Sequence, residues 1–277
     1  MRKHNPIPIF FRYILYGVVL IVTLYPLIFM LQTALKTPNA FANNFWLPSI
    51  KGFTLDNFYE VWINYQFYRF FTNSLIVSTV ATVITVILSI MAGYAFAKHK
   101  FPFSDKLFSL TLSVMFVPVF VYIIPLFVQM RGVKLTNSLQ SLILVYVFFG
   151  LPSGIYISRN SFYTLPREIR EAGLVDGASY FRVFSHIAFP LAKPAISCIA
   201  ILSFINNWGE YIWAIVSNTK DNVKTVPAAL SYFTSMTNVF WWYQMAALSI
   251  AVVPIIIVYI LFNKYFIRGF TEGAVKG

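Results

Sequence analysis

Charged side chains are scarce in this chain. Of its 277 residues only 11% are Asp, Glu, Lys or Arg, whereas 58% are hydrophobic, and the mean hydropathy is +0.71. Soluble domains carry about 25% charged residues, so this composition excludes a soluble enzyme or a soluble binding module. The many phenylalanines and tyrosines suit lipid-facing and interfacial surfaces. The sequence therefore predicts an integral membrane protein.

Residues that carry covalent or metal chemistry are also scarce. Cys198 is the single cysteine, which excludes an internal disulfide, and its apolar surroundings favour a buried, inert thiol. The three histidines, at positions 4, 99 and 186, lie near predicted loops, and neither HExxH nor GxSxG occurs. Glu210 is the only acid well inside an apolar stretch, so no acid pair can form. We therefore expect no enzymatic activity in this chain.

Six apolar stretches approach the ~20 residues that a helix needs to cross a bilayer core. They are Tyr13–Ala34, Asn73–Ala97, Leu107–Met130, Leu139–Ile157, Ala195–Ser217 and Met245–Phe266. The third contains Pro118 and Pro125, which predicts a kink. The first is too long for the core of a signal peptide, so it predicts a retained helix. We expect an all-α membrane protein with one transmembrane domain, residues 1–277, in which a first helix at roughly 13–34 is added to a five-helix core at roughly 73–266.

The distribution of basic residues predicts the orientation. With the N-terminus inside, fourteen Lys and Arg fall in cytoplasmic segments and seven in external ones, so the positive-inside rule places both termini in the cytoplasm. The formal net charge of +12 is thereby explained without a nucleic acid partner. The longest external loop, residues 36–72, carries Trp46 and Trp62, which fit either interfacial anchoring or contact with an external partner. The polar segment between the fourth and fifth stretches, residues 164–190, is predicted to be cytoplasmic and is called the interspan segment below.

Helix signals define the interspan segment. Thr164 can cap a helix and Pro166 fits its first turn, while Pro190 and Pro194 predict its end. A glycine inside a helix costs about 1 kcal/mol relative to alanine, so Gly177 predicts a break between two short helices. Many small residues near this break suit insertion into a cleft of a partner. The alternative is an ordinary amphipathic helix at the membrane surface.

The interspan segment also resembles the signature of binding-protein-dependent ABC importer permeases, of the MetI-like type. That signature is Glu-Ala-Ala, three residues, Gly, nine residues and Ile-x-Leu-Pro, and the chain has EAG at 171–173, Gly at 177 and IAFP at 187–190. Gly173 replaces the second Ala and Phe189 replaces Leu. Further stretches resemble the carbohydrate branch of this family, typified by maltose and multiple-sugar permeases: FTLDNF (53–58), GYAFAKHKFPF (93–103), LPREIREAGLVDGAS (165–179) and TEGAVKG (271–277).

The resemblance implies a permease subunit that forms half of the translocation pathway of an ATP-driven sugar importer. The interspan segment would then be a cytoplasmic coupling helix that docks in a groove of the ATPase. Glu171 would make the main polar contact beside Ala172 and Gly173, and Gly177 would give the turn that Asp176 supports. The family's C-terminal tail, here 274–277, also reaches toward the ATPases.

The partners follow from the same resemblance. No Walker A pattern occurs, so ATP and Mg²⁺ are expected on two separate ATP-binding subunits and no cofactor on this chain. A second, different permease subunit, an extracellular solute-binding protein, a sugar and membrane lipid complete the assembly in a bacterial cytoplasmic membrane. Overall likeness favours raffinose-type or other multiple sugars, with maltodextrins next. The alternatives are a permease for a non-sugar solute and an ion-coupled secondary transporter, although the latter tends to show internal symmetry and several intramembrane charges.

The fifth apolar stretch is interrupted by Asn206-Asn207-Trp208-Gly209-Glu210-Tyr211. A charged group at mid-bilayer costs at least about 2.5–3.5 kcal/mol, and interrupted helices in transporters indicate substrate sites. Amides and carboxylates bond paired hydroxyls, and aromatic faces stack on sugar rings. We therefore predict a substrate pathway at Asn206, Asn207, Trp208, Glu210 and Tyr211. The alternative is that Glu210 pairs with a partner subunit or lies near the outer end of the span. The resembling family often has Asn where this chain has Gly209.

Overall fold

The structure is a computed structural model that describes residues 9–233 and 240–274, and these residues are mostly helical. No strand occurs in these ranges, only an isolated bridge between Lys36 and Phe53. The helices are α1 (Ile9–Ala34), α2 (Pro38–Asn43), α3 (Asp56–Tyr59), α4 (Phe67–Lys98), α5 (Ser104–Ser113), α6 (Val119–Gly132), α7 (Leu139–Tyr163), α8 (Arg167–Val175), α9 (Tyr180–Val183), α10 (Phe189–Leu191), α11 (Lys193–Gly209), α12 (Ile212–Ser217), α13 (Val226–Leu230) and α14 (Trp241–Ala274). The all-α prediction is confirmed.

Four continuous helices are long and apolar enough to cross a membrane: α1, α4, α7 and α14. Two further candidates are bent pairs, Ser104–Phe116 with Val119–Gly132, and Tyr180–Leu191 with Lys193–Gly209. Their bends are 101° and 72°. The described residues therefore hold four spans, or up to six if each bent pair is one span, where the sequence predicts six.

The third predicted stretch is not one kinked helix. α5 passes through a 3₁₀ turn at Val114–Phe116, and α6 begins only at Val119. Between them Val117 and Pro118 have extended backbone, with ψ of 122° and 136°, because proline disfavours helical geometry at the residue before it. The predicted kink is thus a bend of 101° at Val117 and Pro118, between α5 with its 3₁₀ turn and α6. Pro125, by contrast, lies inside α6. The interruption predicted at Pro118 is confirmed, and it is a bend between two helices instead of a kink within one.

Helices α4 and α7 meet along a seam of small residues. A Cβ built on Gly93 would lie 1.9 Å from Ser158 Oγ, and one on Gly154 would lie 2.2 Å from Ser89 Oγ. Ser158 Oγ also donates to the Ser89 carbonyl over 2.6 Å. Residues four apart share one helix face, and small residues there let helices approach closely in a membrane. The seam joins Thr85, Ser89 and Gly93 on α4 to Gly150, Gly154 and Ser158 on α7. Because the pairs follow the same order on both helices, α4 and α7 run parallel.

Backbone contacts divide the chain into two units, one made of the described residues of 1–68 and 230–252, and the other of those of 69–229 and 253–274. In the first unit the predicted external loop is folded around Lys36, which is 1% exposed. Its ammonium donates to the carbonyls of Asn44 and Leu47, each over 2.7 Å. Burial lowers the pKa of Lys36, while these carbonyl oxygens favour its charged form. The side chain of Asn57 bonds the Lys36 carbonyl over 2.8 Å, so the loop is an ordered structure around this lysine.

Candidate functional site

The fifth predicted stretch is broken where its polar residues lie. α11 ends at Gly209 and α12 begins at Ile212, and Glu210 between them is extended, with φ −69° and ψ 123°. The Glu210 carboxylate accepts the backbone N–H of Trp213 over 2.7 Å and that of Ala214 over 3.0 Å. The first N–H groups of a helix have no partner within it, so Glu210 stabilises the restart of the chain as α12. The predicted interruption is confirmed.

A tyrosine of α7 completes the environment of Glu210. The Tyr146 hydroxyl donates to Glu210 Oε2 over 2.8 Å, and Tyr146 is 4% exposed. The carboxylate thus accepts three hydrogen bonds from its own chain. A charge removed from water is costly unless it is hydrogen-bonded, and these three bonds supply Glu210 with donors.

A cavity of about 160 Å³ lies beside this break. Of the predicted pathway residues Asn206, Asn207 and Glu210 line it, whereas Trp208 and Tyr211 do not. The full lining is Val119 of α6; Val145, Tyr146, Phe149, Gly150 and Ser153 of α7; Leu202, Ser203, Asn206 and Asn207 of α11; Glu210; and Trp213 of α12.

The aromatic residues at this cavity are not the predicted ones. Trp208 is 3% exposed, stacks on Phe204 at a centroid distance of 5.7 Å and meets the Phe71 ring edge-on at 5.5 Å. Trp208 thus packs among the helices and does not line this cavity. Trp213 lines the cavity instead, and its buried indole N–H has no hydrogen-bond partner among the described residues.

The two asparagines have different roles. Asn207 is buried and donates from Nδ2 to Thr82 Oγ1 over 3.3 Å, which ties α11 to α4. Asn206 is exposed at the cavity. On α7 the residues Tyr146, Phe149 and Ser153, which sequence reasoning did not select, share one face at spacings of three and four. This spacing is visible in the sequence, but a helix face that lines a cavity and a helix face that packs in the core have the same spacing.

The interspan segment contains the predicted break. Gly177 has φ +82°, and nothing lies within 4 Å of the place where a Cβ would stand. The glycine is therefore required by its backbone conformation and not by lack of space. α8 precedes it and α9 follows, with Ser179 Oγ accepting the Arg182 N–H at the start of α9. The prediction of two short helices is confirmed.

One predicted helix boundary is wrong, whereas the end predicted at Pro190 and Pro194 is confirmed. Thr164 ends α7, and its hydroxyl donates to the Ser161 carbonyl over 2.8 Å instead of capping α8. Pro190 lies inside α10, and the bend of 72° comes at Ala192. Pro194 falls in the first turn of α11, where a missing N–H costs no helical hydrogen bond.

The inner face of the interspan segment is fixed to the helices. Arg170 Nη1 donates to the Lys98 carbonyl at the end of α4 over 2.8 Å, and Lys98 Nζ donates to the Leu165 carbonyl over 2.7 Å. A Cβ on Gly173 would lie 2.9 Å from Ile187 Cδ1. Gly173, which is buried, therefore serves packing within the segment.

The outer face of the interspan segment is exposed. The Glu171 side chain is 60% exposed and lies 3.7 Å from Arg170. Val175 and Phe181 are 87% and 75% exposed. The other predicted coupling residues are divided: Ala172, Asp176 and Gly177 are exposed with Glu171, and Gly173 is not. An acid and large apolar side chains thus share the exposed part of one polar segment.

Comparisons with known proteins agree with this architecture. Residues 85–272 match the family model "Binding-protein-dependent transport system inner membrane component". The chain is 33% identical to the probable ABC transporter permease protein YurM of Bacillus subtilis over 93% of this chain and 85% of that protein. It is 28% identical to the arabinooligosaccharides transport system permease protein AraQ of Halalkalibacterium halodurans over 100% of this chain and 99% of that protein.

The fold is that of a solved transporter. A bacterial ABC transporter involved in the import of the acidic polysaccharide alginate contains a chain that matches with a TM-score of 0.82 and 21% identity, over 96% of this chain and 99% of that one. Since the family model covers more than half of the residues and YurM is similar over most of both chains, the chain is a multi-pass membrane protein that belongs to the family of binding-protein-dependent transport system inner membrane components.

Proposed function

We propose that this chain is the permease subunit of an ATP-driven sugar importer, that it forms half of the translocation pathway, and that an oligosaccharide is the cargo. The cavity beside the broken helix carries the proposal, because neutral amides, hydroxyls and aromatic rings converge there. Relatives named for arabinooligosaccharides and for diacetylchitobiose support a sugar. Of the five predicted pathway residues, Asn206, Asn207 and Glu210 keep that role in the proposal.

The proposed assembly needs several partners. A second permease subunit supplies the other half of the pathway, an external binding protein delivers the sugar, and two ATPase subunits carry ATP and Mg²⁺. Both termini lie in the cytoplasm of a bacterial cell, as the basic residues predict. The tail that would approach the ATPases begins at Ala274, and residues 275–277 lie outside the described residues.

The interspan segment is the proposed ATPase contact. A partner's closure drives transport only if it biases two arrangements of the membrane helices. The bond from Arg170 to the Lys98 carbonyl joins the segment to α4, and the bend at Ala192 leads directly into α11, which carries the cavity asparagines. Glu171, with exposed Val175 and Phe181 beside it, offers the partner one charge and an apolar surface.

Replacing Glu171 by alanine tests this contact. In proteoliposomes containing the companion subunits and the binding protein, we expect Glu171→Ala to lower ATP-driven sugar uptake about tenfold or more, since a hydrogen bond to a charged group contributes about 1.5–3 kcal/mol. Asp105→Ala is the matched control, because Asp105 is an acid 94% exposed outside the segment. Wild-type uptake by a Glu171→Ala, Gly177→Pro double variant, with the subunits assembled, would disprove the coupling role.

A further inference from the structure

The cavity beside the broken helix has one charged side chain in its lining, and that charge is negative. Among the described lining residues only Glu210 is an acid, and none is Lys, Arg or His. The remaining polar residues of the lining carry the amides of Asn206 and Asn207 and the hydroxyls of Tyr146, Ser153 and Ser203. The site therefore offers an anionic ligand no cation to pair with.

The hydrogen bonds around Glu210 are those of an ionised carboxylate. Oε1 accepts the Trp213 N–H, and Oε2 accepts both the Ala214 N–H and the Tyr146 hydroxyl. Two of these donors are backbone groups that can only donate, and an ionised carboxylate is the acceptor-only form. Glu210 thus holds a negative charge at the cavity while it fixes the start of α12.

The neutral groups fit the hydroxyls of an uncharged ligand. Asn206 is exposed at the cavity, and its amide can both donate and accept. Carboxylates and sulfates are instead bound in proteins chiefly by Arg and Lys.

We propose that the cargo is an uncharged sugar and that Glu210 disfavours carboxylate-bearing sugars at this cavity. This inference rests on the proposed function, since it takes the cavity as part of the sugar pathway. Coulomb repulsion between like charges about 5 Å apart, at an effective dielectric constant of about 20, disfavours binding by at least about tenfold.

The test must bypass the external binding protein, because that protein makes its own selection. The full complex of both permeases and the ATPases is placed in nanodiscs without the binding protein. The probes are a panel of neutral di- and trisaccharides, each paired with the uronate in which only the C6 hydroxymethyl groups are oxidised. Saturation-transfer NMR gives a ratio of neutral to uronate binding for each pair. We expect a ratio of at least about ten for the wild type.

Three variants separate charge from shape. Glu210→Gln keeps one oxygen acceptor for an N–H group of α12 but removes the charge, so the ratio is expected to fall toward one. Tyr146→Phe removes one bond to Glu210 but leaves the charge, so the ratio stays high even if both sugars bind more weakly. Asp105→Asn removes an exposed acid that does not line the cavity and leaves the ratio unchanged.

The outcomes distinguish this inference from the proposed function. Equal binding of neutral and uronate sugars by the wild type, or an unchanged ratio in Glu210→Gln, overturns the neutral-cargo assignment while a sugar pathway stands. A similar fall of the ratio in Tyr146→Phe also overturns it, because the selectivity then comes from the shape of the site. If no sugar of either kind binds, and none is taken up when the binding protein is restored, the proposed function itself fails and this inference fails with it.

Discussion

Substituting Gly93 by alanine tests the close contact of α4 and α7. The added Cβ would lie 1.9 Å from Ser158 Oγ and 2.7 Å from the backbone nitrogen of Arg159. The serine hydroxyl can rotate away, but only by giving up its bond to the Ser89 carbonyl. The backbone nitrogen cannot rotate, so the two helices must move apart along the seam.

The expected cost of Gly93→Ala is the sum of two losses. Overpacking a close-packed contact costs about 1–3 kcal/mol, and a side-chain hydrogen bond between membrane helices contributes about 0.6 kcal/mol. Alanine also stabilises a helix by about 1 kcal/mol relative to glycine, and this gain offsets part of the loss. Gly17→Ala isolates that gain, because nothing lies within 4 Å of a Cβ at Gly17. We expect the two variants to differ by about 2–3 kcal/mol in the free energy of unfolding.

Unfolding of the purified complex in detergent, followed by tryptophan fluorescence and by retention of the subunits, measures this difference. A second variant, Gly93→Ala with Ser158→Gly, removes the side-chain clash but keeps the contact with the Arg159 nitrogen. It should recover part of the stability and not all of it. Equal stability of Gly93→Ala and Gly17→Ala would refute the close approach of α4 and α7.

Two other substitutions test parts of the fold that depend on one residue. Gly177→Ala forces a side chain into φ +82°, at a cost of about 1–2 kcal/mol. Binding-protein-stimulated ATPase activity should therefore fall more in Gly177→Ala than in Gly177→Asn. Gly132→Ala is the control and should have no effect, because Gly132 has open space around it and an ordinary φ. Lys36→Met leaves the carbonyls of Asn44 and Leu47 without their donor and should lower the free energy of unfolding by about 1.5–3 kcal/mol. Lys51→Met, at an exposed lysine, is its control. Equal stability of these two variants would contradict the role of Lys36.

The structural features that depend on a single residue type were predicted correctly from the sequence. A carboxylate in an apolar stretch must find hydrogen-bond donors, so the break at Glu210 follows from the sequence alone. The turn at Gly177 follows from the helix penalty of glycine in the same way. The boundary at Thr164 was misjudged because a threonine hydroxyl can bond a carbonyl behind it as readily as an N–H ahead of it, and the sequence does not decide between the two.

Contacts between distant helices could not be predicted in this way. Trp208 and Trp213 lie on opposite sides of the break at Glu210, and the break resets the helical phase, so the periodicity of α11 does not continue into α12. Trp208 was therefore placed at the pathway although it packs against Phe71 of α4, 137 positions earlier in the sequence. The bend of 101° before α6 likewise depends on the surrounding helices, since Pro118 predicts a break but not its angle.

The positions of the two irregular points suggest where motion is concentrated. α11 is a continuous helix of 17 residues, about 25 Å long at 1.5 Å per residue, with the bend at Ala192 before it and extended Glu210 after it. A helix transmits displacement as a rigid body, whereas residues at the ends of elements absorb changes in φ and ψ. A shift of the interspan segment would therefore reach the cavity through α11 and be taken up at Glu210. The bonds from Glu210 to Tyr146 and to the start of α12 tie the far end of α11 to α7 and α12.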